Sequence, residues 1–100
     1  MTSGSVPVDA YVIDVLQRDL LAHDRTPSSF VVYLHLFRRT HGARKEGVRI
    51  SHQMLAETTG LSKSAVQGAI RNLVRRKLVK VERASRTAVP VYRVLCPWRR

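Results

Sequence analysis

The stretch Leu55-Ala56-Glu57-Thr58-Thr59-Gly60-Leu61-Ser62-Lys63-Ser64-Ala65-Val66-Gln67-Gly68-Ala69-Ile70-Arg71-Asn72-Leu73 reads as two short helices joined by a tight turn. Ala56 is small enough for close contact between helices, and Gly60 can take the positive φ that ends the first of them. Leu61 is placed to fill the corner, and Ser62 to cap the second helix with its hydroxyl. Val66, Ala69, Ile70 and Leu73 recur on one face at helical spacing. The opposite face carries Lys63, Ser64, Gln67, Arg71 and Arg75, side chains suited to phosphate oxygens and base edges. A helix over residues 63–76 spans about 21 Å, enough to lie in a major groove.

On the N-terminal side of this pair, Ser51 is the expected cap of the first helix, which carries Met54 and Leu55 inward. Val48-Arg49-Ile50 is long enough for a short strand. Residues 40–47 are polar, with Gly42 and Gly47 bracketing Arg44 and Lys45, and read as a flexible loop. On the C-terminal side, residues 78–82 and 89–95 are two β-rich runs separated by the basic segment 83–88. Pro90 cannot donate to a ladder, so it belongs at a strand start or on an edge.

Between residues 9 and 39 the chain reads as two helices. After a flexible leader over residues 1–8, Asp9 is the expected cap of a helix to about Ala22, with Val12, Ile13, Leu16 and Leu20 on one stripe and Tyr11 and Val15 widening it. Residues 9–25 thus form an N-terminal unit. Thr26 is the expected cap of a second helix, with Pro27 at its first position, where the missing N–H costs nothing. That helix runs to about Arg39 and directs Phe30, Val31, Leu34 and Phe37 to the core, while Arg38 and Arg39 complement its negative end.

One hundred residues support one domain. The net charge of +11 is unevenly spread. Residues 1–37 hold two arginines against four aspartates, whereas residues 38–100 hold sixteen basic groups against three acidic ones, a net +13. A surface of that sign concentrates polyanions and releases their counterions, which points to nucleic acid. Membrane attachment through the same charge is weaker, because the basic helix turns its apolar side to a core. No apolar run approaches the ~18 residues of a membrane span, and residues 1–7 lack the basic-then-apolar pattern of a secretory signal. The lone Cys96 excludes an internal disulfide and suits a reducing cytoplasm, with association to the nucleoid expected.

The order helix, helix, short strand, helix, helix, hairpin resembles the winged helix-turn-helix family of bacterial transcription regulators over residues 26–95, and is similar to the DNA-binding modules of plasmid replication initiators. The resemblance implies an α+β, mostly α fold, with a three-helix core, a β-hairpin wing and here an extra N-terminal helix. It implies sequence-specific binding of double-stranded DNA by a transcription regulator, with a recognition helix over 63–75 and a wing over 83–88. A module of plasmid replication or maintenance and a protein-interaction scaffold are the alternatives. The family's specificity positions fall on Lys63, Ser64, Gln67 and Arg71, and its wing contacts on Arg83 and Arg86. Gly68 departs from the polar or basic residue common there, marking either close approach of the DNA backbone or a weakened contact set.

The expected DNA-binding set is therefore Ser51, Ser62, Lys63, Ser64, Gln67, Arg71, Arg75, Arg83, Arg86 and Thr87. Arg83, Arg86 and Thr87 have few structural duties in a hairpin loop, which favours a phosphate or minor-groove contact. For Arg75, Arg76 and Lys77, complementing the helix dipole and holding phosphate are both open. Arg44, Lys45 and Arg49 are candidates for extending the footprint, and residues 96–100 form a flexible basic tail. The four histidines share no metal-ligand spacing with one another or with Cys96, so no metal or cofactor is expected. No nucleophile elbow, phosphate loop or paired carboxylate set is present, and the reading is not of an enzyme or of a small-molecule binder. For the N-terminal helix, homodimerisation through residues 9–22 and packing across its own domain both stand.

Overall fold

In the computed structural model, which describes residues 4–99, two serines start the two central helices in the same way. Ser51 Oγ accepts the Met54 amide at 3.1 Å and opens α2 (His52–Thr59), and Ser62 Oγ accepts the Ala65 amide at 3.1 Å and opens α3 (Lys63–Arg75). Gly60 ends α2 at φ +80°, in the left-handed region that costs glycine nothing. Val66, Ala69, Ile70 and Leu73 form the buried face of α3, and Leu61 packs against the core at the turn. Met54, expected inside, is 46% exposed. Neighbours on a helix point about 100° apart, and two turns of α2 leave room in the core for Leu55 alone.

α1 (Pro27–Arg39) begins with proline at its first turn, but the Thr26 hydroxyl does not cap it and donates instead to the Asp24 carbonyl at 3.0 Å. The buried face is Val32, Tyr33, Leu36 and Phe37 rather than Phe30, Val31 and Leu34 with Phe37. Val31 is exposed, and Phe30 and Leu34 are only partly buried. The run from Phe30 to Phe37 is apolar nearly all round, so the partner selects the inward side, and that partner is chiefly α3.

The N-terminal helix contains two π-helical stretches, Val12–Leu16 and Asp19–His23. Hydrogen bonding from i to i+5 takes more than 3.6 residues per turn, so positions four apart align. Val12, Leu16 and Leu20 are accordingly buried, while Ile13, expected on the same stripe, is 51% exposed. Asp9 does not cap this helix with its side chain, which is committed to the other end of the chain. Trp98 Nε1 and Arg99 Nε each donate to its Oδ2 at 2.7 Å. Tyr11 stacks on Trp98 with ring centroids 4.7 Å apart. The expected flexible tail is thus fastened back through residue 99, and Val6 and Val8 of the expected flexible leader pack against the core. Residues 1–3 of that leader and Arg100 lie outside the described residues.

Three short strands close one side of the core: β1 (Val48–Arg49), β2 (Val79–Glu82) and β3 (Val91–Val94), antiparallel in the order β1-β3-β2. Val79 pairs with Val94 and Glu82 with Val91, which makes β2 and β3 a hairpin, and Val48 pairs with Tyr92 on the other side of β3. Pro90 sits just ahead of β3, where its carbonyl accepts the Ile50 amide at 3.2 Å and its missing N–H breaks no ladder. The loop after α1, expected to be flexible, folds into a 3-10 turn (His41–Ala43) with Arg44 left-handed at φ 57° and the Lys45 amide returning to the Thr40 carbonyl at 2.8 Å. The result is α+β and mostly helical. No described helix is long and apolar enough to cross a membrane.

Candidate nucleic-acid interface

The capping geometry that starts α2 and α3 also brings their first turns beside the hairpin loop. A cleft of about 330 Å³ opens between them, lined by Ser51, His52 and Gln53 of α2, Lys63 and Gln67 of α3, and Arg83 and residues 87–90 of the loop. Of the residues expected to contact a ligand, Ser51, Lys63, Gln67, Arg83 and Thr87 converge here from three separate segments. Arg83 Nη1 donates to the Ala88 carbonyl at 3.2 Å, bracing the loop across its width. Among the described residues no carboxylate lines the cleft, so Lys63 and Arg83 face it with their charge uncompensated from within. The concavity matches a polyanion and the amide of Gln67 can read a base edge.

The remaining expected residues lie around this cleft rather than in it. Ser62 and Ser64 are exposed at the start of α3, their hydroxyl oxygens 3.3 Å apart, with the Ser62 oxygen already accepting the cap bond. Arg71 is exposed on the same helix and Arg86 at the tip of the loop. Arg75 is exposed and donates to the side-chain oxygen of Asn72, three residues back on the same helix. Arg76 pairs with Asp24 at 3.0 Å and with Asp19 at 3.6 Å, so its charge serves the fold.

Sequence reasoning missed His52 and Gln53, although both directly follow the Ser51 cap and so belong to the first turn of α2. Burial, and then the charges of Arg83 and Lys63, pull the His52 imidazole below the ordinary histidine range, which leaves it neutral at physiological pH. Asn72 was also missed. It is 7% exposed on the inner side of α3 and donates to Asp24 Oδ2 at 3.0 Å and to Ser29 Oγ at 3.1 Å, fixing α3 against the segment that starts α1.

This arrangement of a polar helix face beside a basic hairpin loop fits a DNA-binding module. Residues 11–94 match the family described as bacteriophage replication protein O, and the chain belongs to that family. No curated protein and no solved structure matches it.

Proposed function

We propose that this chain is a winged helix-turn-helix module that binds duplex DNA in a sequence-specific way during phage replication. The observation that carries the reading is the convergence of Ser51, Lys63, Gln67, Arg83 and Thr87 on one cleft between α2, α3 and the hairpin. In this reading α3, 13 residues and about 20 Å long, lies in the major groove, and the loop around Arg86 follows the flanking backbone as the wing. Gln67 and Arg71 read base edges, while Ser51, Lys63, Arg83, Arg86 and Thr87 hold phosphates, with Ser62, Ser64 and Arg75 at the margins. Family membership favours the replication role over transcription regulation. The chain acts as a binding module and not as an enzyme, and homodimerisation through residues 9–22 would set two such helices on a near-palindromic site.

Selection of bound fragments from a random duplex library near physiological salt tests the reading. Enrichment of one sequence supports it, and a near-palindrome would add the dimer. Binding without enrichment would leave only sequence-blind affinity and defeat the claim of base readout.

A further inference from the structure

A second concavity lies on the flank of the domain, between the C-terminal half of α1, the loop that follows it and the free edge of β1. It measures about 700 Å³, and its lining includes His35, Arg38, Arg39, Lys45 and Arg49. No carboxylate lines it, and among the described residues none of its four cations pairs with a carboxylate. The only glutamate in the adjacent loop, Glu46, is turned to Arg93 at 3.6 Å. Folding has therefore gathered four like charges around one hollow, which an anion would offset.

One of these cations is held at its side chain and another at its backbone. Arg39 Nε donates to His35 Nε2 at 2.8 Å, and burial with the charges of Arg39 and Arg38 keeps that imidazole neutral and able to accept. Lys45 is held at the backbone by its amide bond to Thr40, whose own hydroxyl is buried on the Leu36 carbonyl at 2.8 Å. Arg49 belongs to β1, and two residues later Ser51 lines the cleft between α2, α3 and the hairpin. The two hollows share no lining residue and adjoin at this step of the chain.

We infer that the α1–β1 hollow is a second phosphate-binding site for nucleic acid, gripped by Arg38, Arg39, Lys45 and Arg49 beside the recognition cleft. It rests on the proposed DNA-binding role and extends it. The phosphates come either from the flank of the duplex already held by α3 or from a second segment of nucleic acid.

The test compares the whole chain with the triple variant Arg38→Ala/Lys45→Ala/Arg49→Ala, its fold checked by circular dichroism, on duplexes of about one and about three helical turns. Affinity is measured across a salt series. Removing three phosphate contacts lowers the salt slope by up to about 2.7. Loss confined to the long duplex identifies the flank of the same molecule. Loss of a second, separate binding event on either length identifies a second segment. An unchanged slope and unchanged stoichiometry on both lengths overturns the inference. The variant pair Gln67→Ala and Arg71→Ala is run beside it. If that pair is silent while the triple variant is not, the recognition-helix reading fails and the second site survives. Absence of duplex binding by the whole chain would sink both.

Discussion

The Asp9 carboxylate receives Arg99 through two parallel bonds, Nε to Oδ2 and Nη2 to Oδ1, each 2.7 Å long, and so joins the start of the N-terminal helix to the last described residue. Hydrogen bonds from Arg99 and then Trp98 hold this carboxyl at about 2, against an ordinary value near 3.8. A depressed carboxylate contributes stability above its unfolded pKa and loses it as pH falls through the folded one. Thermal melts of the wild type should therefore fall between pH 4 and pH 2 more steeply than those of Asp9→Asn, which lacks this group. Parallel pH profiles for the two proteins would show that the pair contributes nothing.

Asn72 is the buried hinge pin between α3 and α1. Asn72→Ala removes the donor to Ser29 Oγ at 3.1 Å and one donor to Asp24 Oδ2 at 3.0 Å, where Arg76 stays paired. The expected cost is about 1–3 kcal/mol by denaturant titration, the penalty of unpaired buried polar groups.

Gly68 stands in the middle of α3, and a Cβ built on it would meet only Arg71 Nη2, at 3.8 Å. The fold has no steric need for glycine there. Gly68→Ala should raise stability by about 0.5–1 kcal/mol through the lost backbone freedom of the unfolded chain. A melting temperature that falls would mean the helix needs the gap.

His52 supplies a pH dependence of binding with a definite sign. The free imidazole is held below the ordinary range by burial, Arg83 and Lys63, and a phosphate beside it would reverse the electrostatic part of that shift. Duplex affinity should rise as pH drops below the ordinary histidine range, and His52→Gln should flatten the profile. The other depressed histidine, His35, sits in the flanking hollow, so an unaltered profile in His52→Gln assigns the effect elsewhere.

Base readout and backbone grip separate by their response to sequence. Gln67→Ala should cost about 1–3 kcal/mol on a selected site and little on other duplexes. Arg86→Ala should weaken every duplex alike and lower the salt slope by about 0.9. Equal losses from both variants on all sequences would remove Gln67 as a reader of bases.

What was legible beforehand was written in local chemistry. Ser51, Gly60 and Ser62 announce a cap, a stop and a cap within twelve residues, and the alternation of 78–82 fixes the strand that Arg83 ends. What was not legible depends on distant partners. The inward side of α1 is chosen by α3, since Val31 and Val32 look alike to a periodicity argument. The π-helical spacing of Val12, Leu16 and Leu20 and the fastening of Arg99 to Asp9 each need a surface that only the folded chain supplies. The candidate site divides in the same way. Lys63, Gln67 and Arg83 follow from the motif, whereas the gathering of Arg38 and Arg39 with Lys45 and Arg49 follows from how β1 lies against α1.

The sheet order β1-β3-β2 puts the most C-terminal of the three described strands at the centre. Among the described residues neither β1 nor β2 has another strand to pair with, so a growing chain carries both unpaired until residues 91–94 have emerged. The caps of α2 and α3 use residues up to 65 only, whereas the hairpin that braces Arg83 needs β3. Assembly of the basic cleft therefore waits for β3, and a nascent chain halted short of that strand lacks the gripping edge beside its helices.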